Sequence, residues 1–527
     1  MSHHRALDNH DIISHVVEYL GPPAQRDCAD VVDESLSIAP GKAWRTLAYC
    51  ARTSKAFSRP ALRVLWRELP SLLPLLSLAG ISLINAETPE SLPEDDEIEM
   101  IRTTNEIPTP QGMQRFASVS VLVQRISLPG LTDPSLLFHL SRAAPSGSLL
   151  PMLSEIRCMT TPFLDMTILC LAGHNLRELV VLEDSGASWD RPPNSPEGCA
   201  VRRLLAALPS TAPGLHTLCI YDKGTHELPY IAYIGRLREL RSLRLRFWPD
   251  ELVDWLGPFM STLAKFEHLR DLALPLEDWV MDELPIPQGF AQLRSLRFEG
   301  NEHSDLTCLY HLGKILPRLP RLERLEIAST YVNSFTEDNS YLDGIVGKCV
   351  DTLTTVKMDI RPGGIDLDLP SPVPAFNLLR TFIPLHHLQF CYISYSENMS
   401  FTDVDLRKFQ GAWPLLQTFA LSWKRPYLPH TAPSFHGIVE FLRERPQLAV
   451  LKLPVVDING NCVRCKDIKA LPPSFVVEDG CIPDPIACAR VLRTLLPQIR
   501  IKRNVVKSAC GEWATVLSRL RDTNKYV

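Results

Sequence analysis

No stretch of this sequence is both long and apolar enough to suggest a helix across a bilayer. The nearest, Leu69 to Ala86, is uncharged but carries Pro70, Pro74, Ser71, Ser77 and Ser82, and it is expected to stay out of the membrane. Nor is there a basic excess: the net charge is −5, which removes the electrostatic case for nucleic acid or anionic lipid. The phosphate-cradling glycine-rich loop, the Gly-x-Ser-x-Gly elbow and the His-Glu-x-x-His helix are all missing, so the expectation is a non-enzyme without a cofactor. No secretory signal opens the chain as given, and its 14 cysteines are scattered, several inside apolar runs (Cys158, Cys170, Cys391). Reduced, buried thiols in a cytoplasmic or nuclear protein are therefore expected. What the chain has in quantity is proline, 44 residues in 527, which argues against a coiled coil, and a 45% hydrophobic content sufficient for a large core.

That hydrophobic content is organised. A short phrase, Leu-x-x-Leu-x-Leu or a close variant, recurs roughly every thirty residues between positions 123 and 453. The clearest copies are Leu215-His-Thr-Leu218-Cys-Ile220, Leu240-Arg-Ser-Leu243-Arg-Leu245, Leu269-Arg-Asp-Leu272-Ala-Leu274, Leu293-Arg-Ser-Leu296-Arg-Phe298, Leu322-Glu-Arg-Leu325-Glu-Ile327 and Leu448-Ala-Val-Leu451-Lys-Leu453. Weaker copies start at Val123, Leu153, Leu176, Leu353, Leu379 and Leu416. The last two apolar positions are two apart, the strand period, and the first lies three earlier at a bend, so each copy reads as a bend running into a short strand with one buried face. One copy cannot bury that face alone; stacked copies make a continuous parallel sheet and a continuous core. Leucine-rich helices would also produce Leu-x-x-Leu, but the strand-like endings and the preceding Pro213-Gly214, Pro317, Pro320 and Pro446 turns favour strands.

The phrases resemble leucine-rich repeats over about two thirds of the chain. Intervals from 23 residues (Leu153 to Leu176) to 39 (Leu176 to Leu215) leave room for a helix and loops on the opposite side. The Asn or Cys that usually follows the phrase is not regularly present, which favours an irregular arc over a regular horseshoe. The resemblance implies an α/β fold with a parallel sheet on its concave face.

The amino-terminal part has a different period. Leu7, Ile12, Ile13, Val16, Val17 and Leu20 recur at helical spacing, with Asp8 or Asn9 as cap and Gly21-Pro22-Pro23 as stop. Two more helical patterns follow, in Trp44, Leu47, Ala48 and Ala51, then in Pro60, Leu62, Val64, Leu65, Trp66 and Leu69. From Leu47 the text reads Leu47-Ala-Tyr-Cys50-Ala-Arg52-Thr-Ser54-Lys55-Ala-Phe57, then Pro60-Ala-Leu62-Arg-Val-Leu65-Trp66. This stretch resembles an F-box, with Leu7-Asp8 where that family has Leu-Pro and an insertion over 21–42. A three-helix bundle tolerates the insertion, because doubling a loop costs only about 0.6 kcal/mol. The resemblance implies docking of the Skp-type adaptor of a cullin-RING ubiquitin ligase through Leu7, Ile12, Ile13, Val16, Val17, Leu20, Leu47, Cys50, Phe57, Leu62, Leu65 and Trp66. F-box followed by irregular leucine-rich repeats looks like the F-box proteins abundant in mushroom-forming fungi.

The expected organisation is an F-box-like helical domain (1–70), a helix and acidic linker (71–112), the repeat solenoid (113–456), and a cysteine-containing loop with capping helices (457–527). Glu94-Asp95-Asp96-Glu97-Ile98-Glu99 lies in the linker and reads as solvated chain. Asp366-Leu-Asp368 reads as an exposed acidic loop, since two carboxylates alone rarely hold a divalent ion. Cys462 and Cys465 have metal-ligand spacing, yet Cys481 and Cys488 are too far apart to complete a usual four-thiolate zinc site, and a loosely structured loop is favoured. Residues alternating with the buried leucines face outward, among them Ser242, Arg244, Arg246, Asp271, Ala273, Ser295, Arg297, Glu299, Arg324, Glu326 and Lys357. Arg244, Arg246 and Arg297 are the expected target-binding cluster, because planar guanidinium forks suit a carboxylate or phosphate; an ordinary solvated sheet face is the competing reading. The partners expected are the adaptor, through it a cullin, and a protein target.

Overall fold

The computed structural model describes residues 10–21, 40–81, 83–85, 101–103, 108–128, 134–144, 148–182, 195–221, 229–246, 256–276, 289–300, 309, 313, 319–332, 342–362, 373–395, 399–423, 432–454, 456–457, 472, 474–477, 485–495 and 511–523. They fall in two compact units, residues 1–240 with 247–249, and residues 241–246 with 250–527.

The first unit opens with three helices, α1 (His10–Leu20), α2 (Pro40–Thr53) and α3 (Lys55–Arg67). Ile13, Val17, Leu47, Ala61 and Val64 form their shared core, with Cys50, Ala51, Phe57 and Leu65 packed against it. Helix α3 then runs straight into a strand. β1 (Glu68–Leu69) follows Arg67 with no residue between, and α4 (Leu73–Leu78) comes next. An antiparallel pair, β2 (Leu83–Asn85) with β3 (Ile101–Thr103), flanks 86–100. From there strand and helix alternate: α5 (Pro110–Ser120), β4 (Arg125–Leu128), α6 (Pro134–Ala143), β5 (Glu155–Met159), α7 (Leu164–Leu171), β6 (Glu178–Leu182), α8 (Pro196–Thr211) and β7 (Thr217–Tyr221). β1, β4, β5, β6 and β7 pair in that order, all parallel.

The second unit repeats the plan. Its sheet holds β8 (Ser242–Arg246), β9 (Asp271–Leu276), β10 (Ser295–Gly300), β11 (Arg324–Val332), β12 (Thr355–Pro362), β14 (Phe390–Tyr395), β16 (Thr418–Trp423), β17 (Val450–Leu453) and β18 (Ser474–Val477), all parallel. The short β13 (Val373–Pro374) and β15 (Met399–Ser400) pair with each other beside it. This is a leucine-rich-repeat fold, one strand per repeat, in both units.

The phrase makes the sheet for two reasons. Its second and third apolar positions point inward in register: Leu243, Leu272, Leu296 and Leu325 lie side by side, and so do Leu274, Phe298, Ile327 and Met358, all buried. The carbonyl just before each strand also accepts two successive N–H groups from the next repeat. The Gln124 carbonyl takes Ser154 and Glu155 (2.8 and 3.1 Å), and the Arg270 carbonyl takes Arg294 and Ser295 (2.7 and 2.9 Å). Backbone alone therefore fixes the stagger of one repeat on the next, in a chain without a regular Asn at the turn.

One expectation is corrected. The copy placed at Leu379 is helical (Ala375–Leu379), and the strand of that repeat begins at Phe390, after a phrase starting at Leu388 with Cys391 as its inward residue. Strands β1, in the first unit, and β18, in the second, lie outside 113–456, and 71–112 holds α4, β2, β3 and the start of α5. Leu69 to Ala86 is likewise broken into separate elements, and no helix among the described residues is long and apolar enough to cross a membrane.

The helix Asp403–Lys408 shows how local text sets an element's start. Thr402 and Asp405 form a capping box: the Asp405 carboxylate accepts from the Thr402 N–H at 2.8 Å and from its hydroxyl at 3.0 Å. Thr402→Ala is expected to cost about 1 kcal/mol, read as a lower urea midpoint at unchanged slope.

Candidate protein-interaction site

Helix α1 is apolar on two sides. Ile13 and Val17 (3% and 0% exposed) face the bundle core, while Ile12 (46%), Val16 (48%), Tyr19 (92%) and Leu20 (36%) face solvent. Positions 12, 16, 19 and 20 are spaced four, three and one apart, so they make one stripe along the helix. Leu62 on α3 and Tyr49 on α2 are exposed as well. A soluble helix needs one apolar face to fold; a second, uncovered one marks a surface that binds.

The twelve residues expected at an adaptor contact thus divide. Ile13, Val17 and Leu47 are core; Cys50, Phe57, Leu65 and Trp66 are half-buried; Ile12, Val16, Leu20 and Leu62 are exposed; Leu7 lies outside the described residues. Tyr19 and Tyr49 belong to the exposed set and were not read from the sequence. Helical spacing alone distinguishes the stripe from the core only once the neighbours of α1 are known.

The sheet face of the second unit is the other surface. Register places Arg244 and Arg297 on either side of Ala273, two strand spacings or about 10 Å apart. Arg246 ends β8, and its side chain lies outside the described residues. Arg297 is not an isolated fork. Its Nη1 donates to Glu326 at 3.4 Å, and its Nε sits 2.8 Å from Glu299 Oε1 at an angle too poor for a hydrogen bond. Glu299 is itself only 7% exposed, so this pair stays in place rather than swinging free. Asp271 lies in the same field. Burial pushes its carboxyl above the usual range, and the guanidinium groups of Arg244, Arg324, Arg270 and Arg294 only partly offset it. The face at β8 to β12 is therefore a mixed network of acids and bases, not a basic pocket.

Raised folded pKa means that Asp271 contributes stability below the ordinary carboxyl value of 3.8 and loses that contribution as pH rises through its folded value. Asp271→Asn should accordingly flatten the stability profile across that interval. Urea midpoints taken from pH 3 upward check it; a variant whose profile parallels the original contradicts it.

Farther along, the outward positions change character. On β14 they are Phe390, 40% exposed, and Tyr392 and Ser394, both half-buried. None was read from the sequence, because placing the phrase at Leu379 hid the alternation Phe390-Cys391-Tyr392-Ile393 that assigns them.

The thiols behave as structural groups. Cys158, Cys219, Cys349, Cys391 and Cys488 are buried thiols outside any disulfide, and burial pushes Cys349 and Cys391 up to about 12. Among the described residues no three His, Cys, Asp or Glu side chains converge as metal ligands. Cys462, Cys465, Cys481, Asp366 and Asp368 lie outside the described residues.

No protein-family model matches this chain, and no curated protein matches it in sequence. Solved structures similar to it include an internalin, a leucine-rich repeat-containing protein and a chain of a two-protein complex. An internalin (inlF) from Listeria monocytogenes is 14% identical over 73% of this chain and 87% of its own, with a TM-score of 0.32. The leucine-rich repeat-containing protein LegL7 from Legionella pneumophila is 14% identical over 63% and 93%, at 0.32. A chain of the yeast Rad7 and Elc1 complex is 13% identical over 61% and 76%, at 0.35.

Proposed function

We propose that this chain is a substrate-recognition adaptor of an SCF-type cullin-RING ubiquitin ligase, an F-box protein with irregular leucine-rich repeats of the kind abundant in mushroom-forming fungi. The amino-terminal bundle docks a Skp-type adaptor, and the sheet face of the second unit, Arg244, Arg246 and Arg297 included, holds the target. The ligase supplies the chemistry; this chain supplies proximity. The observation that carries the reading is the exposed stripe Ile12, Val16, Tyr19 and Leu20 on a three-helix bundle whose F-box-like text runs through Trp66. Aliphatic and aromatic side chains uncovered in this way are the material of interface hot spots.

A second reading, a repeat scaffold without a ligase, is favoured by one fact: Ile13, Val17 and Leu47, which the family resemblance assigns to the adaptor, are consumed by the bundle's own core. Purification of the tagged intact chain from cells separates the two. Co-recovery of a Skp-type adaptor and a cullin supports the first; protein partners without either support the second.

A further inference from the structure

Just ahead of its strands the second unit carries a run of bases that its mixed sheet face lacks. The residue whose carbonyl takes two N–H groups from the next repeat is arginine three times in succession, Arg241, Arg270 and Arg294; in the repeats that follow it is Glu323, Thr354, Gln389 and Gln417. Main chain pins the three side by side. The Arg241 carbonyl accepts from Arg270 and Asp271 at 2.7 and 3.0 Å, and the Arg270 carbonyl accepts from Arg294 and Ser295. Adjacent strands lie about 4.8 Å apart, so the row spans about 10 Å along one edge of the sheet.

All three side chains are exposed. Among the described residues Arg241 and Arg270 make no side-chain hydrogen bond or ion pair. Arg294 meets Glu323 at 3.2 Å, but both partners are about half in water (49% and 51%), and an exposed pair of this kind is readily exchanged for another. Asp271, beside Arg270, is one carboxyl in the combined field of Arg244, Arg270, Arg294 and Arg324. Exposed Glu267 is offset by exposed Lys265 two residues earlier. Positive charge is left over. Like charges on neighbouring strands repel, and the carbonyl ladder keeps these from separating, so a bound anion relieves a cost that the fold itself imposes.

Resting on the reading of the second unit as the part that holds the target, we propose that the edge formed by Arg241, Arg270 and Arg294 docks an acidic α-helix of that target, with carboxylates at positions i, i+3 and i+7. Spacing selects the helix. Residues three and seven apart stand on one face, about 4.5 and 10.5 Å along the axis, close to the intervals of about 4.8 and 10 Å between the arginines. An extended segment turns every second residue the same way, about 6.6 Å apart, and matches neither interval. Each guanidinium fork takes a carboxylate side-on through two N–H groups. A nucleic-acid backbone calls for a longer basic track.

The test titrates the intact chain into a labelled, alanine-rich helical peptide bearing Glu at i, i+3 and i+7, followed by fluorescence anisotropy at low salt, where charge pairing is least screened. Three competitors accompany it: the same peptide with Gln for Glu, the same composition with a central Pro that breaks the helix, and duplex DNA. The Glu helix should bind at least about tenfold more tightly than each, a difference of about 1.4 kcal/mol. Arg241→Gln/Arg270→Gln should lose at least about tenfold in affinity for it. Thermal melts show whether that variant folds, and Arg270→Gln alone, expected to weaken binding in the same direction, repeats the measurement with a smaller change. No binding of the Glu helix, equal binding of the Gln or Pro peptide, tighter binding of DNA, or unchanged affinity in the folded variants overturns the proposal. Adaptor recovery scored on the same protein keeps the two claims apart: peptide binding without adaptor removes only the ligase reading, and adaptor without peptide removes only this one.

Discussion

Replacing Leu296 with Ala is expected to destabilise the second unit by about 2–5 kcal/mol, the range for removing a fully buried leucine side chain from a core that collapses only partly around the gap. Leu296 is 0% exposed and lies in register between Leu272 and Leu325. Its neighbours are themselves held by the carbonyl ladder through Arg270 and Arg294, so they cannot slide in to fill the space. Ser295→Ala, one residue away on the outward face, should change stability by no more than about 0.5 kcal/mol. Urea titration followed by circular dichroism compares the two. Equal effects would mean that alternation along the strand does not decide what is core.

Triple replacement Ile12→Ser/Val16→Ser/Leu20→Ser is expected to abolish adaptor recovery and leave the fold unchanged. Burying an aliphatic side chain of this size gains about 1.5–3 kcal/mol, and three lost together exceed what a moderate affinity survives. These side chains already face water, so the bundle loses little when they become polar. Ile13→Ser makes the contrast. Ile13 is 3% exposed in the core with Val17 and Leu47, and a hydroxyl there should unfold the bundle rather than blunt a surface. Adaptor recovery undiminished in the triple variant, with circular dichroism matching the original, would move the contact elsewhere.

The repeat core was legible in the sequence because each repeat writes its own inward residues at fixed spacing. Leu215, Leu240, Leu269, Leu293, Leu322 and Leu448 are all buried bends before strands, as the phrase requires. The Leu379 repeat was misread for a physical reason. Leu379-Arg-Thr-Phe382 satisfies the opening of the phrase in a helix, while the true strand carries Cys391 at the inward leucine position, and a free cysteine packs there as a small hydrophobe. That displacement concealed Phe390 and Tyr392. In the bundle, both stripes of α1 are equally apolar in the text, and only the packing of α2 and α3 against Ile13 and Val17 separates interior from surface. The strand order sets Arg244 and Arg297 on either side of Ala273, but the acids that occupy Arg297 are a tertiary fact: Glu299 lies on its own strand, yet Glu326 comes from a repeat 29 residues on.

The most direct test mixes the purified chain with a purified Skp-type adaptor in a titration calorimeter at two temperatures. The account predicts one-to-one binding with a negative heat-capacity change, the mark of buried apolar surface, and loss of the signal for Ile12→Ser/Val16→Ser/Leu20→Ser. No heat from the folded original at any temperature, with no complex on a sizing column, would contradict it.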